Sequence, residues 1–212
     1  MPNPLPALSL LETRVLGTLV EKERTVPDSY PLSLNALVSG CNQKTSRQPL
    51  MEASDADVQA AVDRLKTYNL VIETSGARVP RYSHNLERVL QVPTQSGALL
   101  AILMLRGPQT AGELRINCER LHRFADISAV EGFLHERAAR PAGALVVELP
   151  RLPGARENRW AHTLSGEAPP APVTDAKPSL QADVARLEAE LRALKILVAK
   201  VCAHVGLATP PD

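Results

Sequence analysis

The hydrophobic pattern of residues 54–84 changes from helical spacing to alternation. Ser54 is a good helix N-cap. The apolar residues that follow it recur at helical spacing and form one face: Val58, Ala61, Val62 and Leu65. Residues 70–74 then alternate as in a strand, Ser75 and Gly76 turn the chain, and a return strand begins near Val79. A helix that leads directly into a hairpin is the closing part of a winged helix.

Two shorter helical patterns precede this unit. Ser9 and Glu12 form a capping-box pattern at the start of the first helix, and Ser33 can cap a second helix that ends at Gly40. The inner face of the first helix consists of Leu8, Leu11, Val15 and Leu19. The order of three helices and a hairpin predicts a first winged-helix domain over residues 8–90.

The same order is repeated in the second half of the chain. Residues 98–105 are an apolar helix, and the pairs Thr110 with Glu113 and Ser128 with Glu131 form capping boxes that open two more helices. Residues 145–149 alternate as a strand, and a return strand follows at residues 159–163. We therefore predict an α+β fold with a second winged-helix domain over residues 94–166.

The composition changes after residue 166. Residues 167–178 are rich in proline, which is typical of a semi-rigid linker. Over residues 179–206, apolar side chains then recur at heptad spacing: Leu180, Val184, Leu187, Leu191, Leu194, Val198, Val201 and Val205. β-branched residues at position a with Leu at most d positions favour a parallel two-stranded coiled coil, so we expect a dimer. A helix that folds back on its own domains remains the alternative.

Composition limits the partner classes. The 212 residues are 44% hydrophobic but only 3% aromatic, which suits small domains with aliphatic cores. There are 24 Lys and Arg against 23 Asp and Glu, so the net charge is only +1. Proteins whose whole surface is committed to duplex DNA usually carry a clear basic excess, and any basic patch here must be local.

Cysteine usage and hydropathy predict a cytoplasmic protein. Cys41, Cys118 and Cys202 are widely spaced, which favours reduced thiols. The N-terminus lacks a basic and apolar signal pattern, and the longest apolar run, residues 98–105, is too short to cross a membrane. We therefore expect no membrane partner.

Catalytic and cofactor motifs are not found in the sequence. The five histidines are scattered, and none lies in a local motif with a Cys or Ser nucleophile and an orienting acid. There is no phosphate-binding glycine loop and no His and carboxylate cluster at metal spacing. We predict a protein without enzymatic activity, cofactor or metal.

Cations and amides on loops and wings are the candidate contacts to duplex DNA. The third helix of each predicted domain is a poor surface for phosphates, because it mixes acids and bases. The polar loop and the wings carry the predicted nucleic-acid contacts: Asn42, Gln43, Lys44, Arg47, Arg78, Arg81, Arg151, Arg156 and Arg159. Taken singly, each of these residues fits a solvated loop better than a DNA contact, and it is their joint placement on loops and wings that supports DNA contact.

A second function class fits the same pattern. Near-neutral charge, two unlike domains and a coiled coil are also typical of a winged helix that binds another protein through apolar surfaces. DNA association or transcription regulation is the first hypothesis, and assembly of a protein complex is the alternative.

Three runs of the sequence resemble a known family. They are TVPDSYPLSLNALVSGCNQKTSRQP, LRGPQTAGELR and RLPGARENRWAHTLSGE. These runs are similar to the YceH-like proteins, an uncharacterised bacterial family with two winged-helix domains and a C-terminal helical tail. The resemblance covers roughly residues 8–167 and implies the fold. It implies no reaction and no ligand, so it adds no site residue.

Overall fold

The computed structural model describes residues 5–74, 79–166 and 195. Within these residues the fold is mixed α and β, with seven α-helices and two small antiparallel sheets. The elements of the first half are α1 (Leu10–Thr25), β1 (Leu32–Ser33), α2 (Leu34–Cys41), α3 (Asp55–Thr67), β2 (Val71–Thr74) and β3 (Arg81–His84). The elements of the second half are α4 (Leu86–Leu90), α5 (Thr94–Arg106), α6 (Ala111–Asn117), α7 (Ile127–Ala138), β4 (Val146–Leu149) and β5 (Arg159–His162).

Side-chain caps determine where most of these helices begin. Capping boxes at Ser9 and Thr110 open α1 and α6, as the sequence predicts, and the predicted N-cap Ser54 opens α3 in a further capping box with Asp57. The predicted box of Ser128 and Glu131 is wrong. Asp126 is the N-cap of α7, because its Oδ1 accepts a hydrogen bond from the Ala129 amide at 2.8 Å, and Ser128 lies inside the helix.

The two halves pair their strands in a similar way. β2 and β3 form an antiparallel hairpin, and β1 adds to β3 with Leu32 opposite Tyr82. In the second half β4 pairs with β5, and Gln109 forms an isolated bridge with Trp160 of β5. In each half, the residues just before the second helix thus pair with the last strand.

α1 and α5 join the two halves through one hydrophobic core. Every residue from 12 to 20 in α1 and from 96 to 105 in α5 is buried. The helices approach closely at Gly17, where an added Cβ would lie 3.0 Å from Cγ of Leu105 and 3.2 Å from Cβ of Met104. Because α5 is apolar on all sides, it needs neighbours on all sides. One continuous cluster of buried residues therefore runs from Leu8 to Leu164.

The C-terminal predictions concern residues that the structure does not describe. The linker over residues 167–178 and the eight seam residues from Leu180 to Val205 lie outside the described residues. The coiled coil therefore stays a prediction. None of the described helices is both long enough and apolar enough to span a membrane.

Candidate nucleic-acid interface

The α2–α3 loop, residues 42–54, carries four of the predicted DNA contacts and is fastened at both ends. The Asn42 side chain donates to the carbonyl of Ala53 at 2.8 Å and accepts from its amide at 2.9 Å. Arg14 of α1 donates to the carbonyls of Cys41 at 3.1 Å and Pro49 at 2.7 Å. The Asn42 amide therefore closes the loop, which leaves it less able to recognise a base edge.

Arg47 is buried inside this loop. Its side chain is 0% exposed, and its guanidinium donates to Oε1 and Oε2 of Glu21 at 3.1 and 2.6 Å. Its Nε donates to the carbonyl of Gly40 at 3.1 Å. This placement corrects the prediction that Arg47 contacts phosphate, because the bidentate pair with Glu21 and the carbonyl bond occupy its donors.

Two arginines and one carboxylate form a charged cluster beneath the loop. Burial, followed by the positive charge of Arg47, lowers the pKa of Arg14. Burial acts to raise the pKa of Glu21, but the hydrogen bonds and charge of Arg47, with help from Lys22, outweigh it and lower the pKa. Glu21 thus remains a carboxylate that holds Arg47.

Of the two remaining predicted contacts in the loop, one is an exposed cation and the other is an amide that is already hydrogen-bonded. Lys44 is exposed. Gln43 accepts a hydrogen bond from Nζ of Lys22 at 3.2 Å and donates to Oγ1 of Thr45 at 3.2 Å. Lys44 is thus the predicted loop contact that is best placed to meet a phosphate.

Only some of the arginines predicted to contact DNA from the two hairpins are exposed among the described residues. Arg78 lies outside the described residues, while Arg81 is exposed and donates to the carbonyl of Pro31 at 2.8 Å. In the second hairpin Arg151 and Arg156 are exposed, and Arg159 is half-buried. Arg81 lies on the first sheet, whereas Arg159 lies on the second sheet and Arg151 and Arg156 lie in the loop between its two strands.

The outward face of α3 is acidic. Asp55, Asp57 and Asp63 are all exposed. Hydrogen bonds from the Ser54 hydroxyl and amide lower the pKa of Asp57, so this carboxylate is ionised at neutral pH.

The cations of α3 are paired with carboxylates. Nε of Arg64 lies 2.9 Å from Oε1 of the buried Glu12, and Lys66 pairs with Glu73. Negative charge therefore predominates on this face.

α7 has the same character. Glu131 and Glu136 are exposed, whereas Arg137 is buried and pairs with Glu136. His135 packs edge-on against Trp160, with ring centroids 5.1 Å apart. Neither α3 nor α7 presents the basic surface that insertion into the major groove requires.

Several apolar side chains remain on the surface. Ile116 at the end of α6 is 70% exposed, and Leu50 in the α2–α3 loop is 61% exposed. Ile127, at the start of α7, is also exposed, and its Cδ1 lies 3.8 Å from where a Cβ on Gly112 would be. Gly112 and Ile116 are one turn apart on α6, so Ile116 and Ile127 both lie next to Gly112, where Oε2 of Glu157 also lies 3.8 Å from the added Cβ.

The described thiols are poorly suited to catalysis. Burial raises the pKa of Cys41 to about 11 and that of Cys118 to about 12. Within the described part of the chain, no group of three His, Cys, Asp or Glu side chains could hold a metal ion. Cys202 and His204 lie outside that part.

The sequence pattern did not predict the role of Arg14 and Glu21. A local signal existed for Arg14, which lies in the middle of α1 beside Thr13 and Val15 and one turn before Thr18. A charged residue among small and apolar neighbours in a helix indicates a buried partner. Nothing local connects Glu21 with Arg47, which is 26 positions away.

Comparison with known proteins gives a consistent family. The family model described as "Protein of unknown function, DUF480" matches residues 8–155. A UPF0502 protein of Dechloromonas aromatica is 61% identical over 208 residues, which are 93% of this chain and 97% of that protein. A UPF0502 protein of Albidiferax ferrireducens is 54% identical over 98% of this chain and 95% of its own length. A UPF0502 protein of Paraburkholderia phytofirmans is 56% identical over 95% of this chain and 90% of its own. The chain therefore belongs to the DUF480 (UPF0502) family of bacterial proteins, which confirms the YceH-like resemblance of its sequence.

Proposed function

We propose that this protein is a non-enzymatic, cytoplasmic assembly module. It consists of two winged helices and a C-terminal coiled coil, and it binds another protein rather than reading duplex DNA. The observation that carries this proposal is the acidic outward face of α3, formed by Asp55, Asp57 and Asp63.

The winged-helix interpretation is supported by element order and strand pairing. α1, α2, α3 and the β2–β3 hairpin follow one another in winged-helix order, and α5, α6, α7 and β4–β5 repeat it. The pairing of β1 with β3, and of Gln109 with Trp160, adds a third strand position in the same place in each half.

Electrostatics weigh against groove reading. In a winged helix that reads DNA, the third helix enters the major groove and approaches phosphates on both strands. Carboxylates on that helix repel those phosphates, and Arg64 cannot offset them without leaving the buried Glu12 carboxylate without its cation.

Exposed apolar residues support a protein partner. Ile116 and Ile127 are exposed apolar side chains on either side of Gly112, and the polar residues around them are Arg115, Glu119, Arg123 and Glu157. Apolar side chains that anchor in a partner's pocket supply much of the binding energy in protein interfaces, and polar residues surround them.

DNA contact through loops and wings is the second candidate. Lys44, Arg81, Arg151 and Arg156 are exposed and could neutralise phosphates. Such contacts would position the protein on a duplex without sequence reading, because they do not reach base edges.

The experiment is affinity capture from lysate of the source bacterium with three forms of the full chain. We expect the unaltered protein to retain one stoichiometric protein after nuclease treatment. The double variant Ile116→Glu with Ile127→Glu should lose it. The control Ile72→Glu changes an exposed apolar residue on β2 and should retain it. In a parallel capture without nuclease, retention of nucleic acid and of no stoichiometric protein would favour the second candidate instead.

A further inference from the structure

A pocket of about 480 Å³ opens where four segments of the fold meet. It lies between the start of α1, the α2–α3 loop, the end of α5 and the end of β5 with the residues that follow it. Pockets of roughly 300–1,000 Å³ are the size of small-molecule sites, which often lie where packed units join.

The walls of this pocket are apolar. They are built mainly from Leu8, Leu10, Pro49, Leu103, Met104 and Pro108. The described residues that line it include no Lys, Arg, Asp or Glu. A charged ligand would therefore lose its hydration without gaining an opposite charge, which strongly disfavours it.

Hydrogen bonds to backbone carbonyls link the walls of the pocket to one another. The Leu8 amide donates to the Leu164 carbonyl at 2.8 Å, and the Gln48 amide donates to the Leu105 carbonyl at 2.8 Å. Arg14 holds the carbonyl of Pro49 at 2.7 Å. The pocket is therefore formed before any ligand arrives, which reduces the entropy lost on binding.

The chain turns away at the end of α5 and leaves space. Gly107 has a φ of +76°, which favours glycine, and a Cβ added there would meet no atom within 4 Å. Pro108 follows Gly107 and lines the pocket.

His162 is the titratable group of the lining. Burial lowers the pKa of its imidazole to about 4, so the ring is neutral at physiological pH. Nδ1 is buried and has no hydrogen-bond partner among the described residues. A neutral imidazole offers one donor and one acceptor nitrogen, and because Nδ1 is closed to solvent, the Nε2 side of His162 is the one that can meet an uncharged polar group in the pocket.

We propose that this pocket binds a small, uncharged, largely apolar molecule that carries one hydrogen-bonding group. Apolar walls from both halves enclose the body of the ligand, and His162 orients its polar group. Neither Ile116 nor Ile127 lines the pocket, so this site is independent of the protein-binding proposal.

Two dyes with the same skeleton test this class of ligand. N-phenyl-1-naphthylamine is neutral and carries one N–H, whereas 8-anilinonaphthalene-1-sulfonate adds an anionic group to the same rings. We expect the neutral dye to saturate one site per chain with enhanced fluorescence. The sulfonate should bind at least about tenfold more weakly, because the lining offers it no cation.

Three variants locate the dye. Ser165→Trp places a large ring at the exposed rim and should weaken binding of the neutral dye at least about tenfold. His162→Phe keeps the ring shape but removes the hydrogen bond, and should weaken it by about fivefold to tenfold. Ile116→Ser removes the most exposed apolar side chain elsewhere and should leave it unchanged.

The competing results are distinct. Equal affinity for both dyes would overturn the proposal, as would neutral-dye binding that neither Ser165→Trp nor His162→Phe alters. Far-UV circular dichroism establishes that each variant is folded. If Ser165→Trp does not fold, Leu10→Trp narrows the same opening from an exposed position on α1 and carries the same expectation.

Discussion

Arg47 shows how one buried ion pair can determine the use of a whole loop. The guanidinium is fully buried against Glu21, and it also holds the carbonyl of Gly40. Removal of one partner from a buried pair leaves a charge without compensation, which is one of the more destabilising single changes in proteins. The main role of Arg47 in this loop is therefore to stabilise the first half rather than to contact a ligand.

Arg47→Leu should lower the free energy of unfolding by about 3 kcal/mol. Lys44→Leu is the matched control three positions earlier, and its exposed side chain should change stability by less than about 0.5 kcal/mol. Urea unfolding followed by circular dichroism measures both. Equal, small effects of the two variants would mean that Arg47 is not held by Glu21.

His162 predicts a specific loss of stability in acid. Its folded pKa is lowered to about 4, whereas an unfolded His has a pKa near 6.5. As the pH falls from about 6.5 to 4, His162 binds a proton in the unfolded chain but not in the folded protein, so the free energy of unfolding falls. Above about pH 6.5 His162 is neutral in both the folded and the unfolded state, so it no longer reduces the free energy of unfolding.

Lowering the pH from 7 to 5 should therefore reduce the free energy of unfolding by about 2 kcal/mol through the protonation of His162. His162→Phe should remove that part of the pH dependence, and all other titrating groups are common to both proteins. The difference in urea midpoints at the two pH values is the measurement. An unchanged pH dependence in the variant would place a protonated or solvated imidazole at this position.

At the residue scale, the burial of Arg47 could not be predicted from the sequence. The run from Asn42 to Gln48 contains two cations and no acid, so it looks like an exposed basic loop. Whether Arg47 points outward depends on Glu21, which lies on a different helix and outside any local pattern. By contrast, the capping pair of Ser9 and Glu12 is local and was predicted correctly.

At the scale of elements, helix starts were predictable where a single capping residue was available. Ser33 and Ser54 cap α2 and α3 as predicted. At α7 two candidates compete, and Asp126 is used because its backbone is extended while Ser128 is already helical. β1 was missed because a two-residue strand exists only through its pairing with β3, which no local periodicity encodes.

Asp126→Ala should therefore destabilise the protein by about 1 kcal/mol, whereas Ser128→Ala should have almost no effect. The physical reason is that only Asp126 accepts a hydrogen bond from a free amide of the first turn. Thermal or urea unfolding of the two variants side by side provides the comparison. The reverse order of effects would restore the capping box at Ser128.

At the scale of the whole molecule, the shared core makes the two halves depend on each other. α1 of the first half and α5 of the second pack face to face at Gly17. The repeated element order was readable from the sequence, but the packing of one half on the other was not, because apolar positions do not specify their partners. The apolar run of α5 was the available clue.

The continuous core predicts a single unfolding transition for both halves. Trp160 is the only tryptophan and reports on the second half, whereas Arg47 belongs to the first. Arg47→Leu should lower the midpoint of the Trp160 fluorescence transition as much as that of circular dichroism. A fluorescence transition that stays in place while circular dichroism shifts would show that the halves unfold independently.

The central functional claim is that this fold assembles with protein rather than reading DNA. Binding of the full chain to random duplex DNA, titrated with salt, tests it most directly. The acidic faces of α3 and α7 predict a Kd weaker than about 10⁻⁴ M even at low salt, with little change as salt rises. Tighter binding, with an affinity that falls steeply with salt, would contradict this claim. It would indicate that the protein binds DNA through the exposed cations of the loop and hairpins.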